Sequence, residues 1–162
     1  MKPKVEIIAM GGTIACAPDA ASGGVAPGLS ADDLVAAVPA LGQVADISAR
    51  NLANVASTEI GLPLLFDLAR AIRTHEAEGA AGVVVTQGTD TIEESAFVLD
   101  MLHGGGMPVV VTGAMRNPVL PGADGPANLL AAVTCAASPL CRDMGAMVAF
   151  DDTIHAARWV QK

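Results

Sequence analysis

The residues of this sequence best able to do chemistry are hydroxyls set in glycine at the ends of apolar runs. Gly11-Gly12-Thr13 follows the run from Val5 to Met10, and Thr86-Gln87-Gly88-Thr89-Asp90 follows Val83 to Val85. A threonine hydroxyl becomes a nucleophile once a base takes its proton, and bare glycine backbone beside it offers N–H groups to a developing oxyanion. Each signal has a plainer reading as well: Gly-Gly-Thr after a strand is, on its own, more often a tight turn with a capping threonine, and Gln87 to Thr91 reads equally as a turn with an N-cap.

Other chemistries are poorly supplied. Asp151-Asp152 suggests a divalent cation, yet a solvated acidic pair at a strand end accounts for it equally well. His75, His103 and His155 stand apart from one another and from every cysteine, so no metal site and no cofactor are expected. There is no glycine-rich phosphate loop with its lysine, and Gly11-Gly12-Thr13 lacks the glycine spacing of a dinucleotide site. Cys16, Cys135 and Cys141 form an odd set without paired spacing, which reads as free thiols. A formal charge of −8 with no basic cluster argues against a nucleic-acid or anionic-membrane partner. No apolar stretch approaches a membrane span, and Met1 to Lys4 leads into a strand-like run rather than a signal sequence, so a cytoplasmic protein is expected.

The elements that must position these residues alternate in type. With 162 residues, 52% of them hydrophobic, and a mean hydropathy of +0.48, the chain has the material for one well-buried domain. Short continuous apolar runs at Val5 to Met10, Val44 to Ala49, Ala81 to Thr86, Pro108 to Thr112 and Ala146 to Phe150 read as strands covered on both faces. Between them lie helical patterns. Ser30 with Asp33 forms a capping box before Leu34, Val35 and Val38. Leu65, Leu68, Ala69 and Ile72 share a face, with Pro63 in the first turn and Gly79 beyond the end. Thr91 with Glu94 opens a third helix, whose inner stripe is Ile92, Ala96, Leu99 and Leu102, and Gly104 to Gly106 stops it. Asp124 caps a fourth, Pro126 to Ala137. Strand and helix in repetition imply right-handed crossovers and a doubly wound, mostly parallel sheet with helices on both faces.

Ligands of such sheets bind beyond the carboxyl ends of the strands. Gly11 to Thr13, Ser57 to Glu59, Gln87 to Asp90, Gly113 to Arg116 and Asp151 to Thr153 all follow apolar runs, so five segments are expected at one crevice. The stretch from Cys16 to Leu29, with Pro18, Gly23, Gly24, Pro27 and Gly28, shows no periodicity of its own. It reads as a loop, either a lid over the crevice or a disordered segment.

At these residues the chain resembles the bacterial L-asparaginases. The segments that carry the resemblance are Ile7-Ile8-Ala9-Met10-Gly11-Gly12-Thr13-Ile14-Ala15 and Val85-Thr86-Gln87-Gly88-Thr89-Asp90-Thr91-Ile92-Glu93-Glu94. In register with them are Asn54-Val55-Ala56-Ser57, Val111 to Arg116, Ala123 to Leu129, and Asp151 to Ile154 with Lys162 after it. The resemblance implies a flavodoxin-like three-layer domain and hydrolysis of L-asparagine to aspartate and ammonia through a threonine acyl-enzyme. It implies Thr13 as primary nucleophile, and Thr89, Asp90 and Lys162 as a second triad in which the lysine is the base. A lysine serves so only when its neutral form is accessible, which partial burial favours and a neighbouring Asp90 opposes. It further implies that Asp90 takes the substrate's α-ammonium and Ser57 its α-carboxylate. The backbone N–H groups at Thr13 and Thr89 would form the oxyanion hole, Gly12, Thr58 and Gly88 would line the substrate site, and the Ala114 carbonyl would accept from the leaving amide. Thr58 stands where many members carry glutamine.

Two features differ from the family pattern. The family's lid brings a tyrosine to the first threonine, whereas the matching stretch, about Gly23 to Ala26, has none and the sequence contains no tyrosine. Members are also longer, with a smaller C-terminal domain that completes the site partly across a subunit interface. Residues 1–162 read as a single N-terminal-type α/β domain without that second domain. Both differences weaken the machinery at Thr13 and leave Thr89, Asp90 and Lys162 intact, so catalysis is expected to lean on the second triad. A homo-oligomer is expected to pack on Lys162. Two other readings fit the same residues: an ammonia-releasing glutaminase or amidotransferase-type domain, and an inactive module that binds acidic amino acids or mediates assembly.

Overall fold

Valine-rich strands stack side by side at the centre of the molecule. The computed structural model of the chain describes residues 1–19 and 24–162, without the side chains of 18–27. Its main sheet contains β1 (Lys4–Gly11), β4 (Asp46–Val55), β5 (Gly82–Thr86), β6 (Val109–Thr112), β7 (Ala146–Phe150) and β8 (Thr153–Ala156). They run in the order β4-β1-β5-β6-β7-β8. All pairs are parallel except β7 with β8. Every residue of β5 and β6 is buried, as continuous apolar strands require when both faces are covered.

Side-chain alternation divides the core into two layers. Val83, Val85, Val109, Val111 and Val148 face α3 (Leu62–Ala77) and α4 (Ile92–Leu102). Val84, Val110 and Met147 face α1 (Ala31–Ala36), α2 (Leu41–Val44) and α5 (Gly125–Ala137). The stripe read from the sequence on α4 is buried at Ile92, Ala96 and Leu99. From β1 the chain crosses outward to β4, then returns past β1 to build β5, β6 and β7 on the other side. The carboxyl ends of β1 and β5 therefore flank the topological switch point, where crossovers on opposite faces leave a crevice.

The structure departs from the sequence reading in five places. The strand read at Val44 to Ala49 with both faces covered is β4, an edge strand over Asp46–Val55 in which no residue is fully buried, and Val44 belongs to α2. The Cys16–Leu29 stretch, read as a loop without structure of its own, contains an antiparallel pair, β2 (Cys16–Asp19) with β3 (Gly24–Pro27). Its base is closed by the Gly28 and Leu29 amides, both donating to the Ala15 carbonyl at 3.0 and 2.9 Å. Pairing there is a matter of backbone hydrogen bonds, which a Gly- and Pro-rich composition does not announce. The lid reading rests partly on residues 20–23, which lie outside the described residues. Thr91 is the N-cap of α4 by position, but its hydroxyl donates to the Ser57 carbonyl at 2.8 Å instead of capping. Asp124 likewise precedes α5 without a side-chain cap, its carboxylate being engaged elsewhere. Finally, β8 has no counterpart among the strands expected from the sequence. It returns through a tight turn at Asp151 and Asp152, whose φ values of 49° and 55° are those of a two-residue hairpin turn with both central residues left-handed.

Candidate active site

Glycine lets the two threonine-bearing loops touch. Gly12 has φ +84°, and a Cβ built on it would lie 2.1 Å from the Gly88 amide nitrogen. Gly88 in turn packs on Ser57, whose Oγ would be 2.9 Å from its Cβ, and a Cβ on Gly113 would lie 2.5 Å from the Gln87 carbonyl oxygen and 3.0 Å from Thr89 Cγ2. Backbone thus meets backbone across β1, β5 and β6, and no side chain fits between them. Thr13 follows Gly12 in a short 3-10 turn, and Thr89 follows Gly88, so the two threonines flank this contact.

Polar contacts converge on Asp90. The Lys162 ammonium donates to its Oδ1 at 2.9 Å, and the Ser57 hydroxyl to its Oδ2 at 3.2 Å. Its own amide nitrogen lies 3.3 Å from Ser57 Oγ. The hydrogen bond from Lys162 and its positive charge, helped by Ser57, hold the Asp90 carboxyl below the usual carboxylate range. The Lys162 side chain is 35% exposed and that of Asp90 65%. An ion pair this open adds little to stability. The backbone amide of Lys162 donates to Glu93 Oε2 at 2.7 Å, which fixes the lysine's main chain over the first turn of α4. Glu93 has no part in the sequence reading beyond its place in the motif. Ser57 is buried and Thr58 beside it exposed.

Thr89 turns its hydroxyl toward Met115, donating to the thioether sulfur at 3.5 Å. Beside them a cavity of about 220 Å³ is lined by Thr89, Met115, Ile92, Val148, Phe150 and Lys162. Asp151, His155 and Gln161 also line it, while Thr13, Ser57 and Asp90 do not, so Thr89 and Lys162 sit between the crevice around Asp90 and a second compartment of mixed polarity.

The loop after β6 is organised by Asp124, read from the sequence as a helix cap, and by Asn128, which the sequence reading carries only as a motif member. Asp124 accepts from the backbone amides of Met115 at 2.9 Å and Arg116 at 2.8 Å. Asn128, one turn along α5, is buried at 3% exposure and donates to the Gly113 carbonyl and to Asp124, both at 3.0 Å. Its Oδ1 accepts from the Asp151 amide at 3.1 Å, which links the ends of β6 and β7. The signal in the sequence is the placement of Asp124 and Asn128 four residues apart at a helix start. Replacing Asn128 with leucine leaves buried partners unsatisfied and is expected to cost about 1–3 kcal/mol in a urea titration. For Asp124, burial raises the pKa, but hydrogen bonds from Met115, Arg116, its own amide and Asn128 outweigh it and hold it low. Its stabilisation is therefore complete above the ordinary value of about 3.9 and fades as pH falls through the lowered one. The stability gap between the natural protein and Asp124→Asn is expected to close at that acid end.

Fold and site together define a doubly wound α/β domain with hydroxyls and a lysine–carboxylate pair gathered at its switch point. The family model described as "Asparaginase, N-terminal" matches residues 4–162. The chain is 37% identical over 166 residues to L-asparaginase 2-3 of Saccharomyces cerevisiae, covering 99% of this chain and 45% of that protein. It is 38% identical over 164 residues to L-asparaginase 2 of Bacillus subtilis, covering 99% and 44%. Among solved structures, a probable cytoplasmic L-asparaginase from Campylobacter jejuni superimposes with a TM-score of 0.93 at 39% identity, covering 99% of this chain and 50% of that one. The chain belongs to the asparaginase family, and it spans about half the length of the curated relatives it matches.

Proposed function

We propose that this chain supplies the threonine, lysine and aspartate of an L-asparaginase that hydrolyses the side-chain amide of L-asparagine to L-aspartate and ammonia. The observation that carries the reading is the Lys162 ammonium at 2.9 Å from Asp90, beside Thr89 and one backbone contact away from Gly12-Thr13. Asp90 takes the substrate's α-ammonium and Ser57 its α-carboxylate. With Lys162 as the neutral amine, a threonine Oγ attacks the amide carbon as its proton passes to the lysine nitrogen, and the Thr13 and Thr89 N–H groups stabilise the oxyanion. The protonated lysine returns that proton to the amide nitrogen as the C–N bond breaks, ammonia leaves with the Ala114 carbonyl accepting its hydrogen bond, and water hydrolyses the ester to L-aspartate and the free threonine. With no tyrosine anywhere in the sequence to serve Thr13, the second triad carries most of the catalysis.

Residues 1–162 form the N-terminal-type α/β unit of this enzyme, working as a homo-oligomer in the cytoplasm. Support for the location comes from the Campylobacter jejuni neighbour, which is called cytoplasmic, while a Haemophilus influenzae relative is called periplasmic. Incubating the protein with L-asparagine and with L-glutamine and following ammonia tests the reading. Release from asparagine is the expected result. Aspartate binding without any turnover would replace the hydrolase by a binding module. Including glutamine is warranted because an Acinetobacter relative, 39% identical, is named glutaminase-asparaginase.

A further inference from the structure

Gln87, in the second threonine loop, is wholly buried, and its two amide atoms have unequal fates. The Nε2 group donates to the Gly88 carbonyl at 3.2 Å. The Oε1 atom, equally buried, has no hydrogen-bond partner among the described residues. A buried carbonyl without a donor is a net cost to folding, so stability alone favours an apolar side chain of the same shape here. The amide therefore has to be explained by what its nitrogen holds.

What it holds is one peptide plane. The Gly88 carbonyl and the Thr89 N–H belong to the same planar trans unit and point in opposite directions, so fixing one fixes the other. No other side chain is seen to do this: Gly88 has none, Gly12 meets it with backbone only, and Ser57, whose Oγ lies against Gly88, gives its hydroxyl to Asp90. We infer that Gln87 is a positioning residue, which anchors the Gly88 carbonyl so that the Thr89 N–H faces the crevice where the oxyanion forms. The inference rests on the proposed hydrolase reading for its kinetic consequence, though not for the geometry.

Gln87→Met keeps the shape, removes the orphaned oxygen and deletes the donor. The expected result in the full chain is a Tm raised by about 2–4 °C. With it, kcat falls by about 10²-fold while KM for asparagine is unchanged, as for a group misplaced only in the transition state. Thr86→Val is the control: Thr86 Oγ1 is another buried oxygen without a partner among the described residues, and removing it should raise Tm without touching kcat. A lowered Tm or loss of folding in Gln87→Met would make Gln87 a purely structural residue and overturn the inference, as would an unchanged kcat. Should the natural protein release no ammonia at all, the hydrolase reading fails separately. The positioning claim is then decided by the Thr89 backbone amide resonance, which must shift in Gln87→Met and not in Thr86→Val.

Discussion

Thr89→Val is expected to lower asparagine turnover by about 10²–10⁴-fold, and Lys162→Met by a similar factor, with the fold intact in both. Valine matches threonine in shape and removes only the hydroxyl, which in this structure donates to the Met115 sulfur and contributes little to packing. Methionine keeps much of the length of the lysine stem along the cavity beside Thr89 and removes the nitrogen that carries the proton. Because the residues act as a unit, the double substitution should cost scarcely more than either one. Thr13→Val measured in the same series apportions the chemistry. A natural rate in Thr89→Val with a collapsed rate in Thr13→Val would return the whole reaction to the first threonine. The natural protein, with Lys162 in place, also has a pH signature. Asp90 is held below the usual carboxylate range, so it stays ionised, and its grip on a substrate ammonium is kept until pH falls through that lowered value. An acid limb of kcat/KM centred at ordinary carboxylate pH must then belong to another group.

The second large effect belongs to Gly12→Ala. The added methyl would stand 2.1 Å from the Gly88 nitrogen and 2.4 Å from its Cα, both backbone atoms that cannot swing away. Overpacking of this kind costs about 1–3 kcal/mol, and the φ of +84° adds about 1–2 kcal/mol for any residue with a Cβ. Together they are expected to lower Tm by roughly 5–15 °C and to abolish activity, since relief of the clash means parting the β1 and β5 loops. Gly42→Ala in α2, where the new methyl meets nothing within 4 Å, should leave both properties alone. Equal loss in the two variants would show that the close approach of the loops has no special role.

Much of this architecture is written in residue types whose meaning is local. Valine runs at Val83 to Val85 and Val109 to Val111 form strands covered on both faces, and the capping box at Ser30 and Asp33 forms as its sequence spells it. The Gly-Thr strand ends mark the crevice for the same reason, because glycine after an apolar run signals backbone that something must approach closely. The Cys16–Asp19 and Gly24–Pro27 pairing is not legible, since a ladder between Gly- and Pro-rich segments leaves no pattern in side chains. Nor is β8 legible, as an exposed edge strand needs no apolar alternation.

What the sequence determined by itself is the alternation of elements, the doubly wound class, and which strand ends carry hydroxyls and carboxylates. Those follow from periodicity and from the backbone freedom of glycine, both properties of a few neighbouring residues. Only the tertiary structure put Lys162, which the family resemblance had grouped with Asp90, in contact with it across 72 positions, turned Thr91 to Ser57 instead of its own helix, and used Asp124 and Asn128 to tie the ends of β6 and β7. Each of those contacts joins residues whose separation along the chain carries no information about distance, and the order in which strands enter the sheet is what closes it.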